Sequence, residues 1–316
     1  MTTGALATTR RRFLAGGLCL CCLPAARRAI ASPGPFPTDE IAEGVHIRRG
    51  FDEDATTENE DAIANVGFII GRDAVLVADP GGSLADGENL RATIKQKTDL
   101  PIKYVVMSHV HPDHIFGAGA FRRDEPIFVG HARLAEQLAQ RGDYYAKGLA
   151  ELLGAKRVGA PVAPTMEVRE KAEINLGGRV IVASAHPAAH TMSDLSLLDK
   201  KTGVLLTADL VFVGRIPSLD GSLQGWLDEL AKLKAIGAAR IAPGHGPTAV
   251  EWPIGAAGLE QYLKVLERET QQAIASGKDI ETAITTVAQS ERGKWKLFDD
   301  YNGRNVAEAY KELEWR

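Results

Sequence analysis

The sequence predicts an α/β protein in which helices cover two sheets from the outside. Three observations carry that prediction. Short β-branched or apolar runs alternate with amphipathic helical stretches, the strand-rich stretches fall into two halves that are each followed by helices, and beyond Trp252 the pattern turns helical. A chain of 316 residues, 45% of them hydrophobic, can bury one large core, or a main domain with a small appendage.

Taken in order, residues 1–31 read as a targeting segment: a basic start, an apolar stretch from Phe13 to Ala26, and the small-residue site Ala29-Ile30-Ala31. Thr9-Arg-Arg-Arg-Phe-Leu14 resembles the twin-arginine export signal of bacteria, which implies a periplasmic mature protein that folds, and can take up metal, before crossing. A membrane anchor is the competing reading. The apolar stretch is short for a hydrocarbon core of ~30 Å and contains Gly16, Gly17 and Pro24, so no stable anchor is expected. Cys19, Cys21 and Cys22 are the chain's three cysteines, and cleavage after Ala31 leaves the mature protein none. That removes disulfides, a cysteine nucleophile and thiolate metal ligands together. The formal charge is -4, and loss of Arg10, Arg11, Arg12, Arg27 and Arg28 leaves the remainder at -9. Such a surface argues against a nucleic-acid or anionic-membrane partner.

Ser32 to Pro37 reads as a linker, with one domain expected over 38–252 and a helical extension over 253–316 packed on it. Gly44–Arg49, Ala64–Ile70 and Ala74–Ala78 alternate as strands, the last two around a turn at Gly71-Arg-Asp73. The acidic, unpatterned stretch Asp52–Asp61 is either a loop over the active site or a solvated hairpin tip, and the tip is the simpler reading. Asp79-Pro-Gly-Gly-Ser83 turns the chain into a helix over Leu84–Lys97, and Lys103–Met107 is the next strand after a connection long enough for a crossover. A helix over Leu134–Leu153 follows, then strands at Arg179–Ser184, Leu195–Leu198, Val204–Ala208 and Ala239–Ala242. Trp226 begins an amphipathic helix, and three helices close the chain at Leu259–Ala275, Ile280–Gln289 and Asn305–Glu314.

The chemistry-bearing stretch is Ser108-His-Val-His-Pro-Asp-His114. His109 and His111 are two apart and share a face of an extended segment, so they can grip one ion. Asp113 and His114 follow as the chain turns into a helix and are aimed elsewhere, at a second ion beside the first. Other strand ends supply His190, Asp209 and His245. Imidazole and carboxylate suit zinc, and iron, manganese and nickel also accept them. The count closes with His109, His111 and His190 on one ion, Asp113, His114 and His245 on the other, and Asp209 between them.

This ordered set, His-x-His-x-Asp-His followed by His190-Thr191, Ala208-Asp209 and Gly244-His245-Gly246, resembles the metallo-β-lactamase superfamily over about residues 40–250. Glu58–Asn65, Pro217–Ser222 and Asn305–Tyr310 resemble more narrowly the exported, SoxH-related quinoprotein relay system zinc metallohydrolases. The resemblance implies an αββα sandwich with two zinc ions at one edge between two sheets, Asp209 matching the bridging carboxylate of glyoxalase II-type hydrolases. It implies hydrolysis of a small ester, thioester or amide carbonyl by a metal-activated water, with Asp113 as the catalytic residue that orients that water and helps move its proton. It places Asp79 one shell out, on the ligand loop, and implies a functional link to periplasmic quinoprotein dehydrogenases.

Other candidates have plainer readings. His186 lies four before His190 but lacks its sequence context, His46 and His131 read as packing or surface residues, and Trp226 as core. Arg215, Ser218 and Asp220 sit on an expected active-site loop, where Arg215 could meet a substrate carboxylate or merely tie the loop down. Alternatives to the zinc hydrolase are a single-iron persulfide dioxygenase, a β-lactam hydrolase and a non-catalytic quinoprotein accessory. Sequence alone leaves the substrate and the oligomeric state open.

Overall fold

A computed structural model describes residues 1–2 and 37–315; residues 3–36, with the three cysteines and nearly all of the stretches read as a targeting segment and a linker, lie outside the described residues. The first sheet contains β1 (Asp39–Ala42), β2 (Val45–Arg48), β3 (Val66–Ile70), β4 (Val75–Ala78), β5 (Ile102–Met107), β6 (Ile127–His131) and β7 (Met166–Val168), neighbours in chain order. β1 to β4 pair antiparallel and β4 to β7 parallel. Parallel pairing needs crossovers, and helices supply them. α1 (Leu84–Lys97) links β4 to β5, α2 (Pro112–Ile115) with a 3-10 stretch (Phe116–Asp124) links β5 to β6, and α3 (Leu134–Leu153) with α4 (Ala155–Val158) links β6 to β7.

The second sheet holds β8 (Lys171–Asn175), β9 (Val180–Ala185), β10 (Leu195–Asp199), β11 (Val204–Phe212), β12 (Arg240–His245) and β13 (Val250–Glu251), in the order β13-β12-β11-β10-β9-β8. Its one parallel pair, β11 with β12, is bridged by α5 (Leu223–Lys234). The chain then continues into α6 (Ala257–Ala275), α7 (Ile280–Thr286) and α8 (Phe298–Glu314).

Three apolar clusters give the layering. Ile47, Ile69, Leu76 and Val106 of the first sheet meet Ile181, Leu195, Leu197 and Leu206 of the second, forming the middle of the sandwich. Val75, Val77, Val105 and Met107 face Leu90, Ile94, Leu134 and Leu138 of α1 and α3. Leu205, Val211 and Ile241 pack with Trp226, Leu230, Leu259, Leu263 and Val306 of α5, α6 and α8. The order is helix, sheet, sheet, helix, the predicted sandwich with extra C-terminal helices, and the helices past residue 253 lie on its second outer face. Arg179 joins the two sheets: its guanidinium holds Asp199 (2.6 and 3.2 Å) and donates to the carbonyls of Ile70 (2.7 Å) and Glu43 (2.9 Å).

Several elements differ from the sequence reading. β1, β7, β8 and β13 are not predicted, being short or half-exposed edge runs with little alternation, and β6, an interior strand buried from Phe128 to His131, is also missed. α5 begins at Leu223 rather than Trp226, with Ser222 Oγ accepting from Gly225 N at 3.0 Å. α7 stops at Thr286, short of Gln289, and α8 begins at Phe298, well before Asn305. The run that reads as ending at Ala208 continues to Phe212. Its interruption is a register shift around Ala208, whose φ of 43° is left-handed and costly for a residue with a Cβ. The irregularity falls at the residue before Asp209.

Candidate metal centre

The seven predicted donors come from both sheets. His109 and His111 follow β5, Asp113 and His114 lie in α2, His190 is in the loop after β9, Asp209 is in β11, and His245 ends β12. The fold gathers them into two groups, His109, His111, His190 and Asp209, then Asp113, His114 and His245, with donor atoms in each within 4.8 Å of one another. Asp209 touches both. Its Oδ2 is 3.3 Å from His190 Nε2, 3.7 Å from His109 Nε2 and 3.4 Å from His245 Nε2, and its Oδ1 is 3.0 Å from His114 Nε2. Gly244 makes room for this carboxylate, since a Cβ there would stand 1.9 Å from Asp209 Oδ1.

Each imidazole has one nitrogen tied back to the protein. His190 Nδ1 donates to the Ser218 carbonyl (2.7 Å) and His245 Nδ1 to the Ile63 carbonyl (3.0 Å). A carbonyl can only accept, so in both rings Nδ1 carries a proton and Nε2 is the atom that faces the cluster. His114 Nδ1 meets Asp79 Oδ2 (2.8 Å), and His109 Nδ1 meets Ser108 Oγ (2.9 Å). His111 is turned the other way, its Nε2 on Asp220 Oδ2 (3.2 Å) and its Nδ1 facing the Nε2 atoms of His109 (3.2 Å) and His190 (3.0 Å). Asp79, at φ 58°, also accepts from Ser108 N (2.7 Å), so one carboxylate braces both ends of the ligand loop.

Burial sets the charge states. It holds His109 well below its ordinary value and takes His190 down to about 3, so both rings are neutral donors. Burial also opposes charge on His114 and His245, but the surrounding carboxylates together outweigh it, Asp209, Asp113 and Asp79 at His114 and Asp209 and Asp113 at His245, and both are raised. Asp209 is lowered well below the carboxylate range: burial works to raise it, and His114 and His245 prevail. Although 3.0 Å apart, His114 Nε2 and Asp209 Oδ1 are sealed from solvent and neither makes a well-formed hydrogen bond among the described residues. A buried imidazole nitrogen and a carboxylate oxygen held together this way fit a cation, which would take the place of the ring proton. The donors are nitrogen and oxygen, with no thiolate among them.

A pocket of about 640 Å³ opens onto the cluster. The Asp52–Asp61 stretch is part of its wall, through Asp54, Ala55 and Asp61, which corrects the hairpin-tip reading. Burial, reinforced by Asp113 and Asp86, raises Asp61 well above the carboxylate range. Arg215 does not offer its charge to the pocket: it is buried, donating to the Glu53 carbonyl (3.0 Å), Asp54 Oδ1 (3.1 Å) and Tyr301 OH (3.4 Å). Ser218 acts through its carbonyl on His190, and Asp220 through His111 and Arg141.

His186 stands outside the cluster, bridging Glu229 (2.9 Å) and Ser196 (2.8 Å). His46 is buried and stacked on Phe68, and His131 is buried, accepting from Arg133 N (3.0 Å). Trp226 is core, its Nε1 donating to the Leu210 carbonyl (3.0 Å) and its ring packed against His190. Sequence reasoning missed Phe212, stacked at 4.9 Å on His245, and the pocket faces of α3 and α8. Arg141, Tyr145 and Leu149 recur every four residues along one helical face, a signal present in the sequence but read only as sheet cover.

The family model for the metallo-beta-lactamase superfamily matches residues 60–245 of this chain. The chain belongs to the metallo-beta-lactamase superfamily. A superfamily fold with these two donor groups fits a dinuclear metal site. A linear primary-alkylsulfatase of Pseudomonas sp. (strain ATCC 19151) is 25% identical over 240 residues, 64% of this chain and 44% of that protein. The chain thus spans less than half the length of that relative. Among solved structures, the stereoselective inverting sec-alkylsulfatase Pisa1 from Pseudomonas sp. superposes with a TM-score of 0.63 at 15% identity, over 87% of this chain and 49% of that one. A metallo-beta-lactamase from Pontibacter korlensis superposes with a TM-score of 0.59 at 17% identity, over 72% of this chain and 98% of that one. At such identities these likenesses concern the fold. Superfamily members similar in sequence to this chain are hydrolases.

Proposed function

We propose that this chain is an exported dinuclear zinc hydrolase acting on a small ester, thioester or lactone-type carbonyl, and that it serves periplasmic quinoprotein dehydrogenases. The observation that carries the hydrolase reading is Asp209, one carboxylate placed between two histidine groups and within 3.0 to 3.7 Å of the Nε2 atoms of His109, His114, His190 and His245. His109, His111, His190 and Asp209 would hold one ion, and Asp113, His114 and His245, with Asp209 between, the other. When bound, zinc would supply Lewis acidity and a water of lowered pKa.

The chain's own groups set the rest of the chemistry. Asp113 Oδ2 lies 3.3 Å from His245 Nε2 and lines the pocket, where it can orient a water and take its proton. Burial works to raise Asp113, but His114 and His245 hold it well below the ordinary range, so it stays a carboxylate. Phe212 and Trp226 shield His245 and His190 on their core side. No protein nucleophile is needed.

Elemental analysis of the mature protein, purified without chelator, tests this reading alongside Asp209→Ala and His245→Ala. About two zinc per chain, falling towards one in both variants, with hydrolysis of thioesters, esters or lactones, is the expected result. About one iron per chain, kept in His245→Ala and lost in Asp209→Ala, would reject it in favour of the dioxygenase. The alkylsulfatase likeness motivates a second reading, sulfate-ester hydrolysis at the same centre. Sulfate release from a linear alkyl sulfate, with the carbonyl esters left intact, would select it.

A further inference from the structure

The pocket above the metal centre is lined by three guanidinium groups, and two are already engaged. Arg141 is paired with Asp220, and Arg215 with Asp54 at 3.1 Å. Arg304, on α8, is exposed and has no hydrogen bond or carboxylate partner among the described residues; its contact is with the Tyr301 ring, 5.7 Å from the guanidinium carbon. The carboxylate one helical turn on, Glu308, is held by Lys311 Nζ at 2.7 Å. Tyr301 is itself fixed, its hydroxyl donating to Asp54 Oδ1 at 2.7 Å and its ring also 5.7 Å from the Arg215 guanidinium carbon. A cation laid against an anchored aromatic ring, lining a pocket and lacking a counter-charge, is suited to an anion from solution.

We propose that Arg304 recognises a carboxylate on the substrate, held at the α8 wall of the pocket while the scissile carbonyl lies over the metal centre. The inference rests on the hydrolase reading for the second half of that statement only. α8 lies beyond the residues that the family model matches, so this determinant sits in the helical extension and not among the metal-site elements. Tyr145 on α3 and Tyr301 on α8 line the same pocket, which leaves room for a short apolar linker between the two ends.

The test uses the zinc-loaded mature chain and two p-nitrophenyl esters, the butyrate and the half-ester of glutarate, which differ by one carboxylate. Arg304→Gln should raise KM for the glutarate half-ester about tenfold, the loss of one charge-assisted contact, and leave the butyrate unchanged. Arg304→Lys should recover part of the loss. Independently, calorimetric titration with glutarate and butyrate should show tighter glutarate binding in the wild type and no such gap in Arg304→Gln. Equal KM changes for both esters, or an unchanged glutarate preference in the variant, would overturn the proposal. If the wild type hydrolyses neither ester, the titration alone decides for or against Arg304, and the hydrolase reading stands or falls on the metal analysis and the thioester and lactone assays.

Discussion

Asp79 Oδ2 lies 2.8 Å from His114 Nδ1, and both residues are buried. The contact fixes the ring so that Nε2, the atom left without a partner, faces Asp209 Oδ1. The second Asp79 oxygen takes the Ser108 amide, so loss of the side chain frees both the ring and the loop that carries His109. Asp79→Ala should therefore weaken metal binding at the Asp113, His114 and His245 group by about 10–100-fold, as removal of an outer partner of a ligand histidine does. Chelator competition checks this. Affinity equal to wild type would mean that packing alone orients the ring.

Gly244 is tied to Asp209 by space rather than by backbone freedom. A Cβ at 1.9 Å from Asp209 Oδ1 would also stand 2.7 Å from the Ala208 carbonyl carbon, in the segment already irregular at Ala208. Gly244→Ala should displace the carboxylate, lower metal content, and reduce stability by about 1–3 kcal/mol, the usual cost of overpacking. Metal analysis together with a urea midpoint separates the two effects. Full occupancy by both ions would show that β12 can yield.

What was legible in the sequence follows from how local the causes are. The clustering of the candidate donors could be read from residue type and their place near strand ends, because His109 to His114 is one short segment and His190, Asp209 and His245 each lie in or after a strand. The layer order was legible through alternating strand and helix patterns. β7, with three residues, and β1, half-exposed at a sheet edge, pair only because a neighbouring strand is present, and no local pattern announces that. Arg215 shows the same limit at the site. Its engagement depends on Asp54 and Tyr301, far away in sequence, so the residue beside the ligands was used up and Arg304 on a distant helix was left open.

His186 offers a control for the ligand assignment, because it lies four residues from His190 yet joins Glu229 to Ser196 in a buried chain. Burial lowers its pKa, and Glu229 partly restores it. His186→Ala leaves Ser196 Oγ and one oxygen of Glu229 without this partner, while Lys232 keeps the other Glu229 oxygen; it should cost about 1–3 kcal/mol, with metal content unchanged. A missing ion in this variant, while the fold remains intact by circular dichroism, would make His186 part of the metal site.

Arg179 and Asp199 give the clearest pH signature away from the metals. The pair is buried, and the same guanidinium ties β9 to the carbonyls of Glu43 and Ile70 in the opposite sheet. Burial works to raise the Asp199 carboxyl, but the hydrogen bonds from Arg179 and Thr202 prevail and it is lowered from 3.8. A carboxylate depressed in the folded state binds fewer protons there than in the unfolded chain. Its contribution is therefore present above the unfolded value and lost as pH falls through the folded one. Asp199→Asn should destabilise the protein by about 3–5 kcal/mol near neutrality, since it strands a buried guanidinium. The deficit should shrink below about pH 4, where the wild-type carboxylate also begins to protonate. Urea midpoints of both proteins from about pH 2 to about pH 7 measure this. A deficit constant across that range would mean that the Asp199 charge is unimportant and that Arg179 holds the sheets through the two carbonyls alone.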